Sequence, residues 1–433
     1  MGGRRYTESK EMRSIIVDTS PKDTRNRGSI NLGFEIVAEI YDADRCNWFD
    51  VITKKYDRIL FNVIYPTNML NIVPFLKNNG IEILKDKRKS QPYIIAGGQG
   101  INHLGILDRI VDETFIGEAD FLDNTKEITS HLYTSKNNTV IEISRGCKYS
   151  CSFCEYTWNY GGKYREKNID LAKKQIDIVH KMGRRTVNFM SANFTGYSKF
   201  NELLEYTAHK NMRIVNTDAN YYDLANAIKN KYFYHKVIKI GIESFDEDTR
   251  SRVNKKISDD RLRDLFEIMA EKMNYIHLYL IYGLPGDNYE SWFDWLQWLS
   301  DLRRKRSIGY TDLFGGNHLI HDKQIRFEFN ITNFEPCPLT PLEKSPPVDF
   351  EKKEIFLQEW MRCLIDYGFK KPLSKMDYKN ARGRMGRKEN SYKLLMQLKT
   401  SGEEITYKLI NVFPKGVGRS ILDDDAQKFL NYK

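Results

Sequence analysis

The chain has 433 residues, of which 41% are hydrophobic, 13% aromatic and 29% charged. It is too long for a single hydrophobic core and too apolar for extended disorder, so two or three folded units are expected. No run approaches the ~18 apolar residues of a membrane span and no apolar leader opens the chain, so the expected setting is the cytoplasm of a bacterium or a phage-infected host, with no membrane partner.

In chain order, "SIIVD" (14 to 18) reads as a buried strand and "NLGFEIVAEIYDA" as a helix with apolar residues at i, i+3 and i+4. "RILFNVIY" is a strand and "NIVPFLKNNG" a helix closed by Gly80. "YIIAGGQG" is a strand running into a turn with Gly97, Gly98 and Gly100, and "ETFIGEAD" is another short strand. The alternation implies a parallel, doubly wound (Rossmann-like) domain over residues 1 to 125, with any ligand beyond the carboxyl ends of its strands.

From residue 139 the alternation restarts with longer crossovers. The strands are "TVIEISR" (139 to 145), "TVNFMS" (186 to 191), "RIVNT" (213 to 217), "VIKIGIES" (237 to 244), "IHLYLIYG" (276 to 283) and "IRFEFNI" (325 to 331). Six parallel strands with helical crossovers imply a central partial (β/α)6 TIM barrel over residues 135 to 332, with its chemistry at the carboxyl strand ends. "NFEPCPLTPLEKSPP" then forms an extended connector, because its prolines suit neither helix nor central strand. It leads into a mainly helical, basic extension over 333 to 433. The fold class is α/β with a helical tail.

Six cysteines are too few for a disulfide scaffold, yet three fall within "SRGCKYSCSFCEY": Cys147, Cys151 and Cys154. A structural zinc site wants four ligands, and no fourth cysteine or histidine lies nearby. The next histidine is His180, and Cys337 and Cys363 are far along the chain. Three thiolates on a four-iron cluster leave one iron open to a substrate or cofactor. At this C-x3-C-x2-C stretch, with Phe153 before the third cysteine, the sequence resembles the radical S-adenosylmethionine (radical SAM) superfamily.

The resemblance implies a 4Fe-4S cluster on the three cysteines, SAM chelated at the open iron, and reductive cleavage to a 5′-deoxyadenosyl radical. It also implies SAM contacts from Phe153, from Ser191 and Asn193 in "VNFMSAN", from Glu243 and Ser244 in "GIESFDEDTRSRVNKKIS", and from Gly283 and Leu284 in "LYLIYGLPG". The family's usual Gly-Gly-Glu is absent at the second strand. "YIIAGGQG" and "FIGEAD" resemble the N-terminal cobalamin-binding-type domain of one branch of the superfamily. The Asp-x-His-x-x-Gly of such domains has no counterpart after "SIIVDTSPKDTRNRG", so cobalamin is left open and a degenerate domain is expected.

The net charge is +10, and residues 371 to 400 hold nine bases against two acids. Such a stretch can track a phosphate backbone or stay a solvated surface. Arg382, Arg384, Arg387 and Lys388 are the candidate nucleic-acid contacts, with DNA favoured. The tyrosine-rich "CEYTWNYGGKYRE" after the cluster adds Tyr156 as a candidate catalytic residue, beside Cys337 in "PCP". The chain is similar to phage radical SAM enzymes that remodel amino-acid-decorated thymines in DNA. That similarity implies modification or isomerisation of a nucleic-acid base, with flavodoxin or ferredoxin as electron donor. One rival is a cobalamin-dependent methylase of a small molecule or peptide. Another is a non-catalytic, metal-stabilised nucleic-acid-binding protein. A methylthiotransferase would carry three more cysteines in its N-terminal domain, where this chain has only Cys46.

Overall fold

The structure is a computed structural model and describes residues 12–20, 31–64, 66–89, 92–101, 105–117, 133–134, 139–159, 164–215, 218–233, 237–305, 308–311, 317–321, 325–334, 336–337, 339–346 and 348–369. Arg382, Arg384, Arg387 and Lys388 lie outside these residues. Packing divides the chain into two compact units, one within Met1–Asn138 and one within Thr139–Gly386. Among the described residues no helix is long and apolar enough to cross a membrane.

The first unit contains strands β1 (Ser14–Asp18), β2 (Asp44–Asn47), β3 (Arg58–Asn62), β4 (Tyr93–Gly97) and β5 (Glu113–Phe115), and a short β6 (Tyr133–Thr134). β1 to β5 form one parallel sheet in the order β2-β1-β3-β4-β5. Successive residues of a strand face opposite sides, and here both sides are buried. Ile16, Leu60 and Ile95 pack with Phe34 and Ala38 of helix α1 (Leu32–Ile40). Ile15, Val17, Ile59 and Phe61 pack with Ile72, Phe75 and Leu76 of helix α2 (Ile72–Asn78). This is the doubly wound arrangement the alternation implied. The edge strand β2 was not expected: "DRCN" is polar and has no residue fully buried, so it carries no hydrophobic period.

The second unit holds β7 (Thr139–Glu142), β8 (Ser144–Arg145), β9 (Arg165–Glu166), β10 (Thr186–Met190), β11 (Arg213–Ile214), β12 (Asp218–Ala219), β13 (Val237–Glu243), β14 (Tyr275–Tyr282) and β17 (Arg326–Asn333). An antiparallel hairpin, β15 (Ile308–Thr311) and β16 (Asn317–His321), lies between β14 and β17 in sequence. The helices are α3 (Glu155–Asn159), α4 (Ile169–Lys181), α5 (Phe200–His209), α6 (Tyr221–Ala227), α7 (Glu247–Arg252), α8 (Asp259–Lys272), α9 (Tyr289–Lys305) and α10 (Phe350–Asp366). β11-β10-β7 and β12-β13-β14-β17 are each parallel throughout.

Side-chain caps fix several helix starts. Asn168, Asn220, Asp246 and Ser258 each accept a hydrogen bond from an amide of the first turn. One face of β13, β14 and β17 is apolar and packs on the helices. Phe245, Trp292, Trp295, Phe329 and Trp360 meet there as stacked and edge-on rings. Two expected strands differ. "TVIEISR" breaks at Ile143, after which β8 pairs antiparallel with β9, and "RIVNT" narrows to β11. Both changes fall where chain leaves the sheet for the rim.

Candidate active site

The three cysteines lie in the loop between β8 and α3, beyond the carboxyl end of the first barrel strand. Cys151 is buried, and Cys147 and Cys154 are half-buried. The loop's shape is held by its own groups. Gly146, at φ 77°, donates its amide to the Tyr156 hydroxyl at 3.1 Å, and Cys154 N donates to Cys151 O at 3.1 Å. The Trp158 indole donates to the same carbonyl at 2.9 Å. The loop is also tied to the one between α7 and α8: Ser152 N donates to Val253 O at 3.0 Å, and Asn254 Nδ2 to Ser150 O at 3.0 Å. Segments about a hundred residues apart in sequence thus fix one thiol-bearing loop.

Burial pushes the Cys147 thiol above its usual range, and lifts Cys151 to about 11. The Lys255 ammonium acts on both in the opposite direction. Lys255 is buried; its Nζ donates to Glu243 Oε1 and to Gly241 O, each at 2.7 Å. A desolvated thiol beside a fixed cation is readily deprotonated by a metal, which itself lowers thiol pKa outright. Among the described residues no three His, Cys, Asp or Glu side chains are gathered as ligands of a single ion. In a cluster each thiolate takes a separate iron, so three thiols on one loop can hold three of its four irons. The donor set therefore fits a 4Fe-4S cluster.

Glu243 has φ 65° at a register shift between β13 and β14. Left-handed backbone in a non-glycine residue costs on the order of 1 kcal/mol and collects at functional sites. A Cβ on Gly241 would meet Glu243 Oε1 at 2.5 Å and Lys255 Nζ at 3.2 Å, so only glycine lets this ion pair lie along the strand. Lys255 was not among the sequence candidates, since nothing in "NKK" indicates a side chain returning to the strand twelve residues earlier.

Several sequence candidates have their side chains committed to protein partners. Asn193 Nδ2 donates to Asp223 Oδ2 at 2.6 Å, while its Oδ1 accepts from Thr195 Oγ1 at 3.0 Å and Asn220 N at 3.2 Å. Ser191 Oγ meets Ser144 Oγ at 2.5 Å and accepts from Asn193 N. Ser244 is fully buried; it donates to Asp287 Oδ1 at 2.7 Å and accepts from Asp246 N and the Trp292 indole. Phe153 and the buried Leu284 share an apolar cluster with Val253 and Phe334. Gly283, at φ 91°, donates its amide to the Tyr289 hydroxyl at 3.0 Å.

Tyr149 and Asp223 join the rim unforeseen: the Tyr149 hydroxyl donates to Asp223 Oδ2 at 2.7 Å and its ring stacks on Tyr222. Burial lifts Asp287 to about 7, although Ser244 and Trp292 donate to it, and its Oδ2 is buried without a partner. Cys337 is half-buried in the connector, three residues beyond Phe334.

In the first unit the carboxyl strand ends are laced together. Thr19 Oγ1 donates to Asn62 O at 2.7 Å, Asn71 Nδ2 to Thr19 O at 2.9 Å and the Trp48 indole to Ser20 O at 2.9 Å. Residues 14 to 31 contain no histidine, so a corrinoid here would have no imidazole ligand from the loop after β1.

These features define a class: a parallel α/β partial barrel with a cluster-type thiol loop at the carboxyl end of its first strand. Residues 141–299 match the radical SAM superfamily, and residues 50–145 match the family described as radical SAM proteins, N-terminal. The chain belongs to the radical SAM superfamily, a superfamily of enzymes. It is 23% identical over 228 residues to the ribosomal protein uS12 methylthiotransferase RimO of Porphyromonas gingivalis, which covers 49% of each chain. It is 34% identical over 65 residues, 15% of this chain and 12% of the relative, to the uncharacterized methyltransferase sll1242 of Synechocystis. The chain thus spans about half the length, or less, of the curated relatives it matches. Its fold is similar to that of the radical SAM methyltransferase TsrM of Kitasatospora setae, solved with cobalamin and a [4Fe-4S] cluster. The TM-score is 0.51 at 9% identity, over 76% of this chain and 77% of that one.

Proposed function

We propose that the protein cleaves SAM reductively at a 4Fe-4S cluster held by Cys147, Cys151 and Cys154, and directs the resulting radical at a C–H bond of a substrate in the barrel. The observation that carries this reading is the thiol loop itself: three cysteines on one loop, Cys147 and Cys151 desolvated, with the buried Lys255 acting on both. Bound there, cluster and SAM together supply one-electron cleavage to methionine and a 5′-deoxyadenosyl radical.

The chain's own residues do the rest. Lys255 offsets the thiolate charge. Phe153, Leu284 and Phe334 keep water from one side of the loop, which strengthens the electrostatic interactions inside it and protects what is bound there from hydrolytic side reactions. Asn193 and Ser191, saturated by protein partners, brace the end of β10 and offer SAM backbone rather than side-chain contacts. Glu243 is the remaining polar side chain at the carboxyl end of β13.

For the substrate, the basic stretch with Arg382, Arg384, Arg387 and Lys388 supports a nucleic-acid base, a hypermodified thymine of DNA in particular, and flavodoxin or ferredoxin would supply the electron. A second reading, methyl transfer, is favoured by the names of the curated relatives. Within it, methylthiolation is disfavoured by Cys46 standing alone in residues 1–138. The test is 5′-deoxyadenosine production from SAM and dithionite by anaerobically reconstituted protein, with and without duplex DNA carrying modified thymines. Production stimulated by DNA supports both parts; production indifferent to DNA removes the substrate; none from a protein with an intact cluster removes the chemistry.

A further inference from the structure

The cysteine loop has a second anchor, opposite in charge to Lys255. Tyr149 stands between Cys147 and Cys151, and its hydroxyl donates to Asp223 Oδ2 at 2.7 Å. Asn193, just past the carboxyl end of β10, donates its Nδ2 to the same oxygen at 2.6 Å. One carboxylate oxygen thus joins the thiol loop, the end of β10 and the first turn of α6. The approach is close. A Cβ on Gly196 would overlap Asn193 Nδ2 and stand 2.9 Å from Asp223 Oδ2, so a larger residue there would push this junction apart.

The charges around the loop do not balance. Lys255 Nζ is 2.7 Å from Glu243 Oε1, Lys148 Nζ is 3.6 Å from Glu166 Oε1, and Arg145 Nη2 is 2.6 Å from Glu142 Oε2. Each of these cations is matched by a carboxylate. Asp223 has only neutral donors, a phenol and an amide, and among the described residues it makes no ion pair. Its negative charge is therefore the surplus of the group. Asp223 is half-buried, so solvent ions screen that charge only in part. Its field reaches the loop: the Cys147 thiol is raised mainly by burial, with Cys154 and Asp223 adding to it and Lys255 opposing.

Net charge is among the factors that set the potential of an iron–sulfur cluster, and fixed negative charge nearby makes a centre harder to reduce. We infer that Asp223 is a positioning residue with two effects: it clamps the cysteine loop to the end of β10 through Tyr149 and Asn193, and its unpaired charge lowers the reduction potential of the cluster the loop holds. The inference rests on the radical SAM reading of the loop and adds what sets its driving force. The two effects separate because both hydrogen bonds fall on one oxygen. Asp223→Asn keeps an acceptor oxygen for Tyr149 and Asn193 and deletes the charge. Tyr149→Phe deletes one hydrogen bond and keeps the charge and the ring stacked on Tyr222.

The test uses the full chain reconstituted anaerobically, with iron and sulfide counted first. Both readouts are taken without SAM: the midpoint potential, from a mediated dithionite titration followed by electron paramagnetic resonance, and the rate of iron loss to bathophenanthroline disulfonate. Asp223→Asn should ease reduction about tenfold, the order expected of one unit charge at an effective dielectric constant of about 20. For a one-electron couple that is a positive shift of about 59 mV. Its iron loss should stay at the native rate. Tyr149→Phe should lose iron several-fold faster, with no positive shift in potential. Asp260→Asn, at an exposed carboxylate in the first turn of α8, should match the native chain in both readouts, because its charge is screened in solution. A change under twofold in the reduction of Asp223→Asn overturns the role of the charge. Iron loss at the native rate in Tyr149→Phe overturns the clamp. An Asp223→Asn chain that assembles no cluster overturns both, since the substitution preserves the hydrogen bonds. A native chain that takes up no four-iron cluster removes the radical reading itself, and the inference with it.

Discussion

Lys255 is the residue whose removal most directly tests the site's construction. Lys255→Met deletes the cation from a pair whose side chains are 9% and 13% exposed. It leaves the Glu243 carboxylate and the Gly241 carbonyl without the donor each now has at 2.7 Å. Breaking a buried pair on one side costs about 3–5 kcal/mol, because the stranded charge stays desolvated. Glu243 keeps slight access to water, which places the expected loss at the lower end of that range, about 3 kcal/mol. Lys255→Met with Glu243→Gln removes both charges and should cost only about 1–2 kcal/mol, a coupling of at least 1 kcal/mol. The assay is urea denaturation of the reduced, metal-free protein followed by tryptophan emission, since five of the six tryptophans lie in the second unit. Glu243 and the thiols hold the Lys255 pKa above its usual 10.5 despite burial. Its contribution is therefore fully present below pH 10.5 and is lost only as pH rises through the folded value, so pH 7.5 lies on the plateau. A loss under about 1 kcal/mol, or strict additivity in the double variant, refutes the buried pair.

Alanine at Cys147, Cys151 or Cys154 should each cut iron from about four atoms per chain to below one, while alanine at Cys46 or Cys363 leaves it unchanged; iron and sulfide analysis decides, and stoichiometric zinc in the native protein would contradict the cluster. Asp287, raised to about 7, favours its protonated form when folded, so its contribution is present below about pH 4 and lost as pH rises to about 7. Asp287→Asn should remove that dependence, gaining about 3–4 kcal/mol over the native chain between pH 4 and pH 8, read from urea midpoints across that range. Gly98 has φ 111°, and a Cβ there would meet Val63 O at 2.5 Å and Val63 N at 3.0 Å. Gly98→Ala should destabilise the first unit by about 2–4 kcal/mol, seen as faster hydrogen exchange in peptides covering β1 and β3 but not in those covering β13 and β14.

The sequence by itself determined the cluster chemistry and the order of the elements. C-x3-C-x2-C is a local pattern whose chemistry depends on spacing along one loop, and long strands such as β13, β14 and β17 announce themselves by period-two burial. The glycine after α2 was equally legible, because Gly80 at φ 64° does what only glycine does cheaply. Short polar strands such as β2 and β12 were not legible, since without a hydrophobic period they exist only through the neighbours they pair with.

The tertiary structure alone decided which polar residues are spent and which remain available. Ser244, Ser191 and Asn193 carry the right atoms for a cofactor, but folding gives those atoms to Asp287, Ser144 and Asp223. Lys255 and the row Asp218, Lys239, His277 and Glu328 are unremarkable in sequence. β-sheet register and a returning loop bring together side chains up to 110 residues apart, and a charge's meaning depends on what it faces rather than on what precedes it in the chain.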